Sequence, residues 1–212
     1  MYVDRMDLIA GLGAAPALQE AMVKIGEVRK GEPGYLGQTL LRSYAHPNKF
    51  TVVGRWESIE AAWAFSSSDA LATFLKSMPA ESAGAFTRTR FDGYDSVLEV
   101  DADKLPPMEE ARCEVLADWE LSSIGKAAEY VESRRELFAL QKENVEGFVS
   151  ARLRRSSGIP TKYLMIGIYT SREAAQSGQG SAKLREFVGS HPAASYANTP
   201  PGIEAYAVIH RM

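Results

Sequence analysis

Of the residues in this 212-residue chain that could do chemistry, Arg134 has the most telling position. It sits in the middle of an apolar stripe made by Ala127, Tyr130, Val131, Leu137 and Phe138, which puts a guanidinium on the inward face of a helix. A charge in that place needs a partner, either a protein carboxylate, solvent at the rim, or an anionic or phenolate oxygen of a ligand. Trp56 and Trp63 flank the start of a helical region, where they serve either as core or as a stacking wall for a flat ligand. Arg42, Arg55 and Arg155 lie on strands, and alternation puts Arg42 and Arg55 near the sheet edge or pocket. Tyr35 and Tyr169 complete the candidate binding set of Trp56, Trp63, Tyr35, Arg55, Arg134 and Tyr169, and no catalytic residue is singled out.

The remaining chemistry-bearing residues point to no familiar machinery. His46 falls in a loop and His191 at a helix end before Pro192, while His210, on the last strand, has the best chance of facing inward. There is no two-His-one-carboxylate spacing, no Cys/His cluster, no G-x-S-x-G elbow and no glycine-rich phosphate loop, so neither a metal nor a nucleotide cofactor is expected. Gly11-Leu12-Gly13 is too short for a dinucleotide fingerprint. Cys113 is the only cysteine and reads as a packed strand thiol.

The elements that must position these residues come from an internal repeat. The stretch from Gly34 to Pro79 recurs from Gly147 to Pro192 at a constant offset of 113, with 16 identities in 46 positions. Arg42/Arg155, Ser43/Ser156, Pro47/Pro160, Gly54/Gly167, Ser58/Ser171, Glu60/Glu173 and Phe74/Phe187 are among them. Around this repeat each half reads β-α-β-β-α-β, the ferredoxin-like order. In the first half the expected order is strand Tyr2 to Ile9, helix Ala14 to Lys30 with the stripe Leu18, Ala21, Met22, Ile25 and Val28, and strands Gly34 to Tyr44 and Lys49 to Trp56. A helix capped by Ser58, a break at Ser66 to Ser68, a second helix to about Met78, a connection from Pro79 to Asp92 and a strand Tyr94 to Val100 follow. The second half repeats this from Arg112 to His210, with its helical break at Gly178 to Ser181. Residues 1–100 and 111–212 are thus expected to be domains, with 101–110 as linker.

Phe50-Thr51-Val52-Val53 and the run from Tyr163 to Tyr169 lack polar alternation, which implies sheets covered on both faces. The expected fold is α+β, two tandem ferredoxin-like domains whose antiparallel sheets pack as an internal pseudo-dimeric barrel, in a monomer or a homodimer. A net charge of −3 argues against nucleic acid. No run of about 18 apolar residues exists to span a bilayer, and the start of the chain has no signal-peptide pattern, so a cytoplasmic location is expected.

The order Gly34-Tyr35-Leu36-Gly37, Leu40-Leu41-Arg42-Ser43, Phe50 to Ser58 and Glu60-Ala61-Ala62-Trp63 resembles the antibiotic biosynthesis monooxygenase family of dimeric α/β-barrel proteins. Most relatives are single-domain homodimers, so the chain resembles two such subunits fused. The resemblance implies one of three things: a cofactor-independent oxidation of a phenolic or polyketide-like molecule by O2, haem degradation, or a non-catalytic barrel holding a hydrophobe or haem. The haem-degrading branch carries an asparagine, a tryptophan and a histidine, and these positions fall here on Met6, near Phe65 and Trp63, and on Phe74 or Leu75. Their counterparts at the 113 offset are Trp119, Phe187 and Val188. That constellation is not matched beyond Trp63, which leaves haem as the alternative to no cofactor. The differences between the copies, Arg55, Trp56 and Trp63 against Ile168, Tyr169 and Gln176, point to the first half as the site and to the Arg134 region as its rival.

Overall fold

The computed structural model describes residues 1–77, 86–104 and 110–212. The fold is α+β with a ferredoxin-like element order in each half. The chain packs as two units, Met1–Gly93 with Val208–Met212, and Tyr94–Ala207.

The first unit holds β1 (Tyr2–Ala10), α1 (Ala15–Arg29), β2 (Tyr35–Ser43), β3 (Lys49–Trp56), α2 (Ile59–Ser66), α3 (Asp69–Ser77) and the start of β4 (Phe86–Asp101). β3 lies between β1 and β2, antiparallel to both. The expected stripe of α1 is its buried face: Leu18, Ala21, Met22 and Ile25 pack with Phe50, Val52, Trp56 and Phe65. Phe50, Thr51, Val52 and Val53 are all buried, as their lost alternation requires.

The second unit holds the end of β4, β5 (Cys113–Glu120), α4 (Ala127–Asn144), β6 (Phe148–Ser156), β7 (Lys162–Tyr169), α5 (Arg172–Gly180), α6 (Ala182–Ser190) and the start of β8 (Gly202–Arg211). Its sheet runs β8-β5-β7-β6, the ferredoxin order, and β4 adds along the free edge of β6.

The identical positions of the repeat have local causes. Gly34 and Gly147 enter β2 and β6 at φ +76° and +80°, a region closed to most side chains. A Cβ on either would also strike the Cβ of Ala61 or Ala174, which the repeat keeps small. Ser58 Oγ accepts from Ala61 N at 3.2 Å and Ser171 Oγ from Ala174 N at 3.1 Å, capping α2 and α5 alike. Ser43 and Ser156 accept from the two backbone amides of the turns that follow them.

One expected boundary is corrected. Residues 86–92, read as part of a connection, are strand, and β4 is 16 residues long. The run Thr87-Arg88-Thr89-Arg90-Phe91 alternates β-formers with charge, and Thr89 Oγ1 donates to Asp7 O at 3.3 Å, which ties it to β1. Gly93 continues the strand where a Cβ would collide with the Tyr2 ring. Residues 79–85 of the expected connection and 105–109 of the expected linker lie outside the described residues.

Candidate binding cavity of the second half

Beneath α4, α5 and α6, the second unit has a half-open cavity of about 580 Å³ against the helix-covered face of β5 and β7, with the exposed Val188 and Ile203 on its rim. That volume is in the range that holds a drug-sized ligand. Two of the expected site residues, Arg134 and Tyr169, line it together.

Arg134 is buried, 4 % exposed. Its guanidinium carbon lies 5.1 Å from the Trp119 ring centroid, 5.0 Å from that of Tyr130 and 5.9 Å from that of Tyr196, an aromatic box that favours a cation. Nε and Nη2 donate to Ser133 Oγ at 3.3 and 3.1 Å. Among the described residues no carboxylate pairs with it and Nη1 has no hydrogen-bond partner. Burial pulls its pKa down, while the Tyr130 and Tyr196 hydroxyls act the other way. The site therefore presents a desolvated positive charge with no electrostatic complement among the described residues.

Three further polar groups share this wall. Gln141 Nε2 donates to Tyr169 Oη at 3.3 Å, while Gln141 Oε1 is buried without a partner. Trp119 Nε1, a donor only, is likewise buried and unpaired. Burial raises the Tyr169 hydroxyl to about 12, so it stays protonated at neutral pH. His191 also lines the cavity, stacked on Phe187 with centroids 4.3 Å apart, and its Nδ1 lies 3.1 Å from Phe187 O. Its place at the end of α6 was expected, its place on the cavity wall was not. Among the described residues no group of three His, Cys, Asp or Glu gathers as a metal-ligand set.

The other expected residues are placed elsewhere. Trp56 is fully buried, and its Nε1 donates to Asp4 Oδ2 at 2.9 Å. Asp4 Oδ1 accepts from Gly54 N at 3.1 Å, Arg29 Nη2 stands 3.7 Å from Asp4 Oδ2, and Arg29 Nη1 donates to Gln38 Oε1 at 3.2 Å. Arg29 also lies over the Trp56 and Phe65 rings at 5.8 and 5.3 Å. Tyr35 meets Trp56 edge-on at 5.1 Å. Trp56 and Tyr35 thus belong to a filled core. Trp63, expected to face a pocket, is 62 % exposed on α2. Arg55 donates to Met212 O at 2.9 Å and to Thr39 Oγ1 at 3.3 Å. Arg42 donates to Pro47 O at 2.7 Å, and Arg155 is exposed.

The strand glycines have a specific reason. At Gly54 a Cβ would collide with the Asp4 carboxylate, and at Gly167 it would come within 2.9 Å of the Tyr169 ring. Each glycine admits a side chain of its own unit.

The 113 offset also fails upstream of the contiguous repeat. Met6 pairs with Val52 as Ala117 pairs with Met165, so β5 follows β1 at 111, and Ala117 rather than Trp119 is the counterpart of Met6. The buried positions 18, 21, 22, 25 and 26 of α1 recur at 130, 133, 134, 137 and 138 of α4, an offset of 112. Arg134 therefore stands where Met22 stands, not Ala21, and Gln141 where Arg29 stands. One residue more on each side of the second helix accounts for the drift.

With both registers known, the origin of the cavity is visible. Asp4, Arg29, Gln38, Trp56 and Phe65 of the first half become Val115, Gln141, Ala151, Tyr169 and Gly178. The second half loses the ion pair and the phenylalanine that fill the first.

The sequence profile of antibiotic biosynthesis monooxygenases matches residues 12–77 and 123–190. The chain belongs to this family. It carries two such domains in tandem, and no curated protein matches it in sequence. Among solved structures it is similar to a proposed monooxygenase from Fusobacterium nucleatum, with TM-score 0.77 at 12 % identity over 99 % of this chain and 93 % of that one. An anthrone oxidase-like protein superposes at TM-score 0.66 and 12 % identity, covering 100 % and 92 %. A heme-degrading enzyme from Listeria monocytogenes superposes at 0.54 and 10 %, covering 98 % and 99 %. Identities this low speak for the fold alone. Among the described residues no helix is long and apolar enough to cross a membrane.

Proposed function

We propose that the cavity of the second half is the reaction pocket of a cofactor-independent monooxygenase acting on a flat phenolic molecule. The observation that carries this reading is Arg134, a buried guanidinium in an aromatic box with no carboxylate beside it among the described residues, on the wall of a cavity that is otherwise mainly apolar. Family membership supports the reaction class.

A phenol reacts with O2 most readily as its phenolate, which can give up an electron. At about 4 Å and an effective dielectric of about 20, a guanidinium stabilises such an oxyanion by roughly 4 kcal/mol, and the apolar walls leave few groups to compete for it. Electron transfer to O2, recombination at the activated ring carbon and loss of water convert an aromatic C–H next to the phenol system into a carbonyl. The stoichiometry is one phenol and one O2 giving one quinone and one H2O, with all electrons supplied by substrate.

The test is O2 consumption with a panel of anthrones, naphthols and hydroquinones, with product identified by mass. Wild-type protein is expected to consume one O2 per quinone formed, and Arg134→Met to lose at least about 100-fold in kcat/KM, the scale of removing one oxyanion donor. No enzyme-dependent uptake across the panel overturns the oxygenase reading.

A further inference from the structure

We infer that His191 is the base of this cavity: it takes the hydroxyl proton of a bound phenol and leaves the phenolate to Arg134. This rests on the reading of the cavity as the site for a phenol but not on turnover with O2. A phenol of ordinary pKa, about 10, is ionised to only about one part in a thousand at pH 7. A mainly apolar wall holds it neutral more strongly still. Arg134 can stabilise the anion, yet a guanidinium has no lone pair with which to remove a proton. The anion that Arg134 is placed to hold needs a second group to make it.

Among the described residues lining the cavity there is no Asp or Glu, and the titratable ones are Arg134, Tyr169, Arg185 and His191. The two arginines keep their protons, and burial keeps the Tyr169 hydroxyl protonated up to about 12. That leaves imidazole, the side chain that exchanges a proton near neutral pH. Its tautomer is set at Nδ1: Phe187 O, 3.1 Å away, can only accept, so Nδ1 carries the hydrogen and Nε2 the lone pair. Ser190 Oγ, also 3.1 Å from Nδ1, can accept as well and leaves that arrangement intact. Among the described residues nothing pairs with Nε2.

The fold carries this ring to the Arg134 end of the cavity. A Cβ on Gly178 would stand 3.1 Å from Val145 and 3.8 Å from Leu184, so α6 begins beside the end of α4. Beyond His191, the Tyr196 ring centroid lies 5.6 Å from that of Tyr130 and 5.9 Å from the Arg134 guanidinium carbon. The helix thus runs back along α4 from Val145 towards Arg134 and ends on His191, away from Gln141. As imidazolium, His191 caps the C-terminus of α6, where the helix dipole favours a cation and Phe187 O keeps its bond to Nδ1–H. In this step the substrate O–H bond breaks and an Nε2–H bond forms, with no change of oxidation state. When turnover follows, the same proton leaves on the oxygen released as water.

The experiment binds two probes at neutral pH under anaerobic conditions: 2-naphthol, neutral in solution, and 2,4-dinitro-1-naphthol, already an anion there. Naphtholate absorbance reports ionisation of the first, and calorimetry in two buffers of different ionisation enthalpy reports protons released. Wild type is expected to hold 2-naphthol as naphtholate with no net proton released, because the proton stays on Nε2. His191→Gln should hold it neutral and at least about 10-fold more weakly, while binding the dinitro anion no more weakly than wild type. Arg134→Met should weaken both probes. His191→Phe, which keeps the stack on Phe187, is the second variant and should match His191→Gln. Neutral 2-naphthol on wild type, undiminished naphtholate in both His191 variants, equal weakening of the two probes in both, or no binding of either overturns the inference. Naphtholate that depends on His191 without O2 uptake across the phenol panel removes the oxygenase reading and leaves this one standing; O2 uptake that survives unchanged in His191→Gln does the reverse.

Discussion

The two halves solve the same packing problem with opposite electrostatics. Under α1 and α2 the first half buries a charge with its counter-ion: Asp4 holds Arg29, the Trp56 indole and the Gly54 amide, and Gln38 takes the other side of Arg29, with, among the described residues there, only Arg29 Nε and the nearby Tyr35 Oη left without a partner. Under α4 and α5 the second half buries Arg134 with no anion among the described residues, near three unpaired polar atoms, Trp119 Nε1, Tyr130 Oη and Gln141 Oε1, and a cavity. The first arrangement is what stability requires of a buried charge, and the second is what recognition of an anion requires. The difference between them is a handful of side chains in matched registers.

The sharpest way to break this contrast is to remove the anion from the first half. Asp4→Ala leaves Arg29 buried and unpaired and should lower stability by about 3–5 kcal/mol, seen in urea unfolding of the whole chain. Arg134→Met, which likewise alters one buried charge, should leave stability unchanged or raise it. A comparable loss in both variants would mean that Arg134 has a partner within the protein.

Restoring the missing phenylalanine comes next. Gly178→Phe puts back the counterpart of buried Phe65 and should lower ligand affinity at least about 100-fold, or about 2.7 kcal/mol. Trp63→Ala, on the exposed side of α2, should leave affinity unchanged.

A smaller effect should appear at high pH. Cys113 pairs with Tyr169 across β5 and β7, and burial, then the charge of Glu114, raises its thiol from 9.0 to about 11. A folded-state pKa above the unfolded one gives stability that is full below pH 9 and lost as pH rises towards 11. Burial makes Tyr169 add the same sign between 10.0 and about 12. The drop in unfolding free energy between pH 8 and pH 10.5 should shrink in Cys113→Ala. The smallest changes test where the halves agree: Ser58→Ala and Ser171→Ala should each cost about 1 kcal/mol, and a large inequality would show that the two caps are not equivalent.

Much of this was legible in the sequence. The repeat fixed the shared turns and caps, because a left-handed glycine or an N-cap serine acts within a few residues of itself. The stripe around Arg134 located its helix face, since helical period alone decides which side is buried. The cavity was harder to see. Gly178 against Phe65 stood in the 113 register, but the exchanges of Asp4 for Val115 and Arg29 for Gln141 are hidden until strand pairing shifts the register to 111 and 112. Trp56 stood open between core and binding wall because its tie to Asp4 spans 52 positions, and no local pattern signals that contact. Trp63 was placed inward by proximity to the strand end, whereas the turn of α2 carries it to solvent.

At Gly167, the hydrogen that stands where a side chain would begin lies against the Tyr169 ring. Ring current acts on that proton from the edge of the ring, so its resonance follows the tilt of the tyrosine. The molecule therefore carries its own signal lamp, a backbone proton that reports on one side chain. Ligand filling the cavity can be timed by watching it move, with no label attached.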